Sequence, residues 1–181
     1  MFPSTIYQRT TRLLKKEKAW DKEIFYKVYQ QLSGKMYSLC IRYTGNATDA
    51  REVFIESLSF LFNDSKSLTR YPLTEKKVRH IFVQGSIDYL LAKEKNLFKN
   101  TPLFISQGKI VLDNLGKYSD AELVHHITQL PTQHRIVFNL YLVENYSIDR
   151  ISKLLGIDKI IVTSIVEKAK LVFMENALQP V

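Results

Sequence analysis

Apolar residues recur at helical spacing through the first half of the chain and predict three successive helices there. The first is expected over 21–43, where one apolar stripe continues until Gly45 interrupts it. Thr48 is placed to cap the second helix, and Thr74 is placed to cap the third, which ends near Lys95. Three amphipathic helices in a row indicate a helical bundle.

The helical period returns in the last third of the chain. Ser119 and Glu122 have the spacing of a capping box, and apolar residues follow them on one face. Pro131 suits the first turn of the next helix, because its missing N–H has no intrahelical partner at that position. Two helices are therefore predicted before residue 147.

A short helix, a tight turn and a longer helix are predicted next. Ser147 can cap the short helix, and Gly156 can end it in the left-handed conformation. Asp158 can then cap a helix over 159–178. Two helices joined by a tight glycine-containing turn are the helix-turn-helix signature, and the second helix normally enters the major groove.

These elements predict an all-α chain with two small helical domains. The N-terminal helical bundle is expected over 21–95, after a basic arm over 1–20. The C-terminal helix-turn-helix domain is expected over 119–178. Residues 96–118, which contain proline and glycine and have no sustained period, are expected to form a linker. Within it, 109–112 fits either a short strand or a docked segment.

Charge and composition favour an anionic partner inside the cell. The chain has 181 residues, a formal net charge of +8 and a pI near 9.5, which favour nucleic acid, although ribosomal or membrane-surface association fits equally well. A single cysteine, Cys40, excludes an internal disulfide. Because no apolar run approaches ~20 residues and the first residues do not resemble a secretion signal, a cytoplasmic protein without membrane insertion is expected.

The sequence gives little indication of catalysis. Adjacent His125 and His126 cannot easily face one site from a helix, and no zinc-protease, phosphate-loop or serine-hydrolase motif occurs. We therefore expect no enzyme activity, no metal, no cofactor and no small-molecule substrate.

The third predicted helix lies in a strongly basic stretch, because residues 66–99 have a net charge of +5. Together with the aromatic residues Tyr71 and Tyr89, such a surface can follow the backbone of unwound DNA and stack a base. The alternative is a solvated surface with its aromatic rings packed inward. The candidate DNA-binding residues here are Arg70, Lys76, Lys77, Arg79 and His80.

The last predicted helix combines candidate DNA contacts with an unusual apolar surface. Residues 147–175 have a net charge of only +1, although groove binders usually concentrate positive charge at this element. An isoleucine patch that includes Ile165 can touch thymine methyl groups or bury against protein. The candidate contacts are Lys159, Thr163 and Ser164 for polar groups, Lys168 and Lys170 for phosphates, and Ile160 and Ile161 for thymine methyls.

Several of these segments resemble the bacterial RNA polymerase sigma factors of the extracytoplasmic-function group. In the C-terminal block, the similar segments are 130–138 (LPTQHRIVF), 151–157 (ISKLLGI) and 168–170 (KAK). In the N-terminal block, the landmarks are Arg42-Tyr43, Asp49-Ala50 and 87–90 (IDYL). The chain differs from the family where it has Lys77, Gln84 and Leu91 near the promoter-melting helix, and Ile161, Thr163 and Ile165 in the recognition helix.

The resemblance implies that the two domains correspond to the second and fourth conserved regions of sigma factors. It implies a dissociable subunit of core RNA polymerase that directs promoter recognition, with an anti-sigma protein as a further partner. Asp49, Glu52 and Glu56 correspond to the surface that binds the polymerase clamp. The alternative is a sigma-derived interaction module that binds polymerase or another protein without reading promoter DNA.

Overall fold

The computed structural model describes residues 22–63, 74–104, 112 and 115–178. For residues 22–28, 62 and 63 it describes the backbone alone. The predicted all-α class is confirmed, because the described residues form helices, turns and connecting segments. No helix in the described ranges is both long and apolar enough to cross a bilayer. The helices are α1 Lys22–Thr44, α2 Ala47–Asn63, α3 Glu75–Lys93, α4 Asp120–Thr128, α5 Thr132–Phe138, α6 Ile148–Leu155 and α7 Lys159–Ala177.

The chain divides into two compact units, Met1–Leu90 and Leu91–Val181. We call them the N-terminal unit and the C-terminal unit. The division lies inside α3, a few residues before the end of the predicted N-terminal domain at residue 95. The predicted basic arm over 1–20 lies outside the described residues.

The N-terminal unit buries the apolar faces of α1, α2 and α3. Phe54 of α2 lies 5.4 Å from Phe82 of α3, between ring centroids, and meets Tyr37 of α1 edge to face at 5.8 Å. Helix α3 also contains Gly85, where an added Cβ would lie 2.3 Å from the Oγ of Ser57 on α2. The absence of a side chain at residue 85 therefore permits a close approach of α2 and α3.

The turn between α1 and α2 corrects one predicted cap. Helix α2 begins at Ala47, and Asn46 caps it, because its Oδ1 accepts from the backbone N–H of Asp49 at 2.9 Å. The prediction of Thr48 as the cap was wrong by two residues. The cap predicted at Thr74 is confirmed, since its hydroxyl oxygen accepts from the N–H of Lys77 at 3.3 Å.

The C-terminal unit is built around α7. The rings of Phe138 and Phe173 stack with centroids 4.8 Å apart, and Ile127, Leu130 and Ala169 complete the buried cluster. After α5, the chain continues as a π-helical segment, Asn139–Val143. The predicted capping box is confirmed, because Ser119 and Glu122 exchange both of its hydrogen bonds.

Part of the predicted linker packs within the C-terminal unit. Phe98 is buried, and Leu112, Leu115 and Tyr118 pack against the cluster around Phe173. The linker prediction did not anticipate this packing. Of the run at 109–112, only Leu112 lies among the described residues, so the choice between strand and docked segment stays open.

Candidate nucleic-acid interface

Local hydrogen bonds build the helix-turn-helix as the sequence predicts. The Ser147 hydroxyl oxygen accepts from the N–H of Arg150 at 3.2 Å at the start of α6. Gly156 ends this helix with a φ of 66°, in the left-handed region that side chains disfavour. Asp158 Oδ1 then accepts from the N–H of Ile160 at 2.8 Å, which caps α7. All three predicted caps are confirmed.

The turn is further fixed by Ser152. Its hydroxyl donates to the carbonyl oxygen of Ile157 at 2.6 Å, and its own carbonyl accepts from the N–H of Ile157 at 3.2 Å. Ile151 and Leu155 of α6 are buried, as is Val162 of α7. Helix α7 therefore starts at a position and angle set by several short-range contacts.

The first turns of α7 present a mixed polar and apolar surface. Lys159, Ile160 and Thr163, all candidate DNA contacts, are exposed, and the exposed fraction of Ile160 is 67%. Ile161 is half-buried. The Thr163 hydroxyl donates back to the carbonyl oxygen of Lys159 at 2.9 Å, which leaves its lone pairs facing outward as acceptors.

Two residues of the predicted surface are buried instead. Ser164, proposed as a polar DNA contact, is 6% exposed, and its Oγ accepts from the backbone N–H of Phe104 at 2.6 Å. Ile165, proposed as part of an exposed isoleucine patch, is 1% exposed and lines a pocket with residues 101–104. Both predictions are corrected, because a segment 60 positions earlier in the chain covers this side of α7.

Each lysine of α7 has a partner within the C-terminal unit. Lys159 Nζ lies 2.5 Å from Asp149 Oδ1 on α6, and Lys170 Nζ lies 2.8 Å from Glu167 Oε1. Lys168 Nζ lies 5.0 Å from the ring centroid of Phe104, a cation–π distance. The positive charges of Lys159 and Lys170 are therefore compensated by carboxylates, whereas Lys168 contacts an aromatic ring.

The Lys159 pair is on the surface, and the Lys170 pair is more enclosed. The hydrogen bond between Lys159 and Asp149 lowers the pKa of the Asp149 carboxyl and raises that of the Lys159 ammonium. Both side chains remain more than 60% exposed, so water and salt weaken this pair. By contrast, the Lys170 side chain is only 14% exposed, and this lysine also lies 5.6 Å from the Tyr141 ring centroid.

The sequence interpretation missed two aromatic contacts of this surface. The Arg150 guanidinium carbon lies 3.5 Å from the ring centroid of Tyr146, and Phe104 lies beside Lys168 as described. The spacing of four residues between Tyr146 and Arg150 is a local signal that could have been noticed. No local signal joins Phe104 to Lys168.

In the N-terminal unit, the start of α3 retains the predicted basic character. Lys76, Lys77 and His80 are exposed, Arg79 is half-buried, and Arg70 lies outside the described residues. The one acidic residue of the first turn, Glu75, pairs with Lys35 of α1 at 3.2 Å. The structure thus brings the described basic candidates together on neighbouring turns of one helix.

Tyr89, predicted to stack a base, is held through its hydroxyl by two carboxylates of α2. Its hydroxyl lies 2.9 Å from Asp49 Oδ1 and 3.0 Å from Glu52 Oε2, and it shares one proton between these two carboxylates. Burial, followed by these two carboxylates, raises the pKa of Tyr89. Tyr71, the other predicted stacking residue, lies outside the described residues.

The acidic candidates for polymerase binding differ in exposure. Asp49 is 8% exposed and accepts from both Tyr89 and the Nδ2 of Asn46, at 2.8 Å for the latter. Its predicted role as a polymerase contact is corrected, because the carboxylate is buried within the N-terminal unit. Glu52 and Glu56 are exposed one turn apart on α2 and remain candidates for that surface.

Two histidines of the C-terminal unit are enclosed. His134 is half-buried, and burial, together with the nearby Lys168 charge, lowers its pKa. His126 is buried against Tyr118 and Phe173. Within the described residues, no three histidine, cysteine, aspartate or glutamate side chains are grouped so that they could hold a metal ion.

Comparison with known sequences adds no further constraint to this geometry. No protein-family model matches the chain, and no curated protein is significantly similar to it.

Proposed function

We propose that this protein is a divergent sigma factor that acts in the cytoplasm as a dissociable subunit of RNA polymerase. The observation that carries the proposal is the α6–α7 helix-turn-helix, whose caps and left-handed glycine present the exposed first turns of α7 outward. This arrangement is the usual means by which a helix enters the major groove. The protein itself catalyses no reaction in this proposal.

DNA reading by α7 relies on few groups. Lys159 and Thr163 contact polar groups near the start of the helix, and Ile160 contacts thymine methyls. The exposed Lys159 exchanges Asp149 for a phosphate, because a surface ion pair contributes little stability. Specificity is then weak and biased towards A/T-rich upstream sequence, since an apolar contact discriminates less than a bidentate hydrogen-bonded pair.

The N-terminal unit supplies the remaining contacts. Lys76, Lys77 and His80 follow the DNA backbone near the downstream element, and Glu52 and Glu56 present carboxylates to basic residues of core polymerase. The residues Glu52 and Glu56 lie four positions apart, which places them on one helical face.

A second candidate function is a sigma-derived module that binds protein without reading DNA, for example an anti-sigma protein or polymerase alone. The specific observation in its favour is the combination of a 67% exposed Ile160 with three lysines that already have partners. The exposed side chain of Ile160 offers such a module an apolar group that a protein partner can bury.

Reconstitution with core RNA polymerase tests the proposal. The purified full chain is mixed with core enzyme, and both co-purification and run-off transcription from a library of genomic fragments are measured. A sigma factor supports both readouts, whereas the interaction module supports co-purification without transcription. Absence of both contradicts the proposal.

A charge-matched pair of variants tests the docking surface. Glu52→Gln with Glu56→Gln should reduce co-purification with core polymerase by about tenfold, as expected for the loss of one or two charge-assisted contacts. Asp88→Asn with Glu94→Gln removes two exposed carboxylates outside the proposed surface and should leave co-purification unchanged. If the two double variants reduce co-purification equally, Glu52 and Glu56 act only through the net charge of the protein, and the proposed docking surface is contradicted.

A further inference from the structure

A pocket of about 250 Å³ lies within the C-terminal unit, between residues 101–104 and helices α5 and α7. Hydrogen bonds fix both sides of it. The Phe104 N–H donates to Ser164 Oγ at 2.6 Å, and the Thr101 hydroxyl donates to Gln133 Oε1 at 3.1 Å. The pocket is therefore part of the folded unit and is bounded by a segment that contacts α5 and α7.

The walls of the pocket are mainly apolar. Pro102, Leu103 and Phe104 form one side, and Ile165 of α7 contributes to the other. The exposed fraction of Leu103 is 59%, although a leucine is usually found inside a protein. These walls provide an apolar surface that a planar ring can cover.

Among the described residues that line this pocket, Lys168 is the one with a permanent positive charge. Lys168 lines the pocket and is half-buried, and among the described residues it has no carboxylate partner, unlike Lys159 and Lys170. His134, which also lines the pocket, is neutral at pH 7 because burial lowers its pKa. An ammonium group beside low-dielectric walls attracts an anion more strongly than one in open water.

We propose that this pocket binds a small organic anion that combines one planar ring with a carboxylate or a phosphate monoester. The anionic group pairs with Lys168, and the ring covers Leu103 and Phe104. A volume of about 250 Å³ accommodates one ring with its anionic group and lies just below the usual range for larger ligands, about 300–1,000 Å³. This inference is independent of the proposed function, since it needs neither DNA nor polymerase.

Titration with phenyl phosphate, followed by ¹H–¹⁵N NMR on the full chain, tests the proposal. The amides of Phe104 and Ser164 should shift in a saturable way, with a dissociation constant of about 1 mM or lower for a ligand of this size. Intermolecular NOEs from the phenyl ring to Leu103 and Phe104 should locate it in the pocket. Inorganic phosphate and benzyl alcohol, which each lack one half of the ligand, should bind at least about tenfold more weakly.

Variants separate the role of Lys168 from general charge. Lys168→Gln should weaken phenyl phosphate binding by about tenfold, and Lys168→Arg should retain it. Lys153→Gln removes an exposed charge of α6 outside the pocket and should have no effect. Thermal melts of all three variants verify that they fold.

Four results would overturn the proposal. The first is no saturable shift at Phe104 up to about 10 mM phenyl phosphate, well above the expected dissociation constant. The second is equal affinity for inorganic phosphate, which would indicate an adventitious ion only. The third is equal affinity for benzyl alcohol, which would exclude a role for the charge. The fourth is unchanged affinity in a folded Lys168→Gln variant.

Discussion

Helices α3 and α7 have the same length, 19 residues, and both are predicted to contact DNA, yet they use their side chains differently. At the start of α3, Lys76 and Lys77 are exposed, and further along Gly85 allows close packing on α2. Helix α7 is covered on more than one side, and its three lysines have partners nearby. The comparison shows that one helix concentrates accessible positive charge, whereas the other contributes shape and apolar surface.

The largest expected effect tests whether α7 is covered on the side of Ile165. Ile165→Arg should destabilise the C-terminal unit by about 3 kcal/mol or more, because it buries a charge without a partner. Ile160→Arg, five positions earlier and exposed, should change the free energy of unfolding by less than about 0.5 kcal/mol. Urea denaturation of both variants measures the difference, and similar stabilities would show that Ile165 is not covered.

The Ile160→Arg variant also separates the two proposed functions. If α7 reads DNA through thymine methyls, this variant loses A/T preference; if Ile160 binds a protein, the protein complex is lost and DNA binding strengthens.

The second prediction compares the lysines of the two helices directly. Lys76→Ala with Lys77→Ala should reduce the slope of log affinity against log salt by about 1.4–1.8, since each phosphate contact contributes about 0.7–0.9. Lys168→Gln with Lys170→Gln should reduce it less, because Lys168 and Lys170 are half-buried whereas Lys76 and Lys77 are exposed. Binding to a duplex with an unpaired central segment, measured over a range of salt concentrations, gives both slopes. If the double variant of α7 lowers the salt slope more than the double variant of α3, the proposed difference between the two helices is contradicted.

The third prediction concerns the close packing of α3 on α2. Gly85→Ala should destabilise the N-terminal unit by about 1 kcal/mol, because its Cβ would meet Ser57 Oγ. Ser57 Oγ is buried and makes no hydrogen bond among the described residues. Combining Ser57→Ala with Gly85→Ala should therefore remove the clash and raise stability above the original by up to about 1 kcal/mol, through the higher helix propensity of alanine. A double variant no more stable than Gly85→Ala alone would contradict this explanation.

The smallest expected effect is on how the stability of the C-terminal unit depends on pH. The pKa of His134 is lowered from its ordinary value of 6.5 by burial and by Lys168, so the unfolded chain binds the proton more readily. Stability should be constant above pH 6.5 and fall as the pH decreases from there towards the lower folded-state pKa. Thermal melts between pH 7.5 and 5.5, at about half-unit steps, should show this decrease, and His134→Gln should reduce it. An unchanged slope in that variant would assign the decrease to other groups.

The sequence predicted the elements that depend on neighbouring residues. The caps at Ser119, Ser147 and Asp158 and the left-handed Gly156 each satisfy backbone groups within a few positions, so their signal is contained in a short window. Val162 and Phe173 of α7, which lie eleven positions apart and so share one face of the helix, are both buried.

The sequence could not predict burial that depends on distant contacts. Ser164 is enclosed by Phe104, which is 60 residues earlier, and Asp49 by Tyr89, which is 40 residues later. Helical periodicity identifies which residues share a face, but it does not show which segment covers that face. For this reason, the fold was predicted more completely than the surface.

The hydrogen bond between Phe104 and Ser164 has a mechanical consequence. It attaches the chain that follows α3 to the side of α7, 2.6 Å from donor to acceptor. A pull along the chain at Thr101 is therefore transmitted through Gln133 to α5 and through Ser164 to α7 before it reaches α4. In this sense residues 101–104 act as a tether, so α5 and α7 share tension that would otherwise pull first on α4.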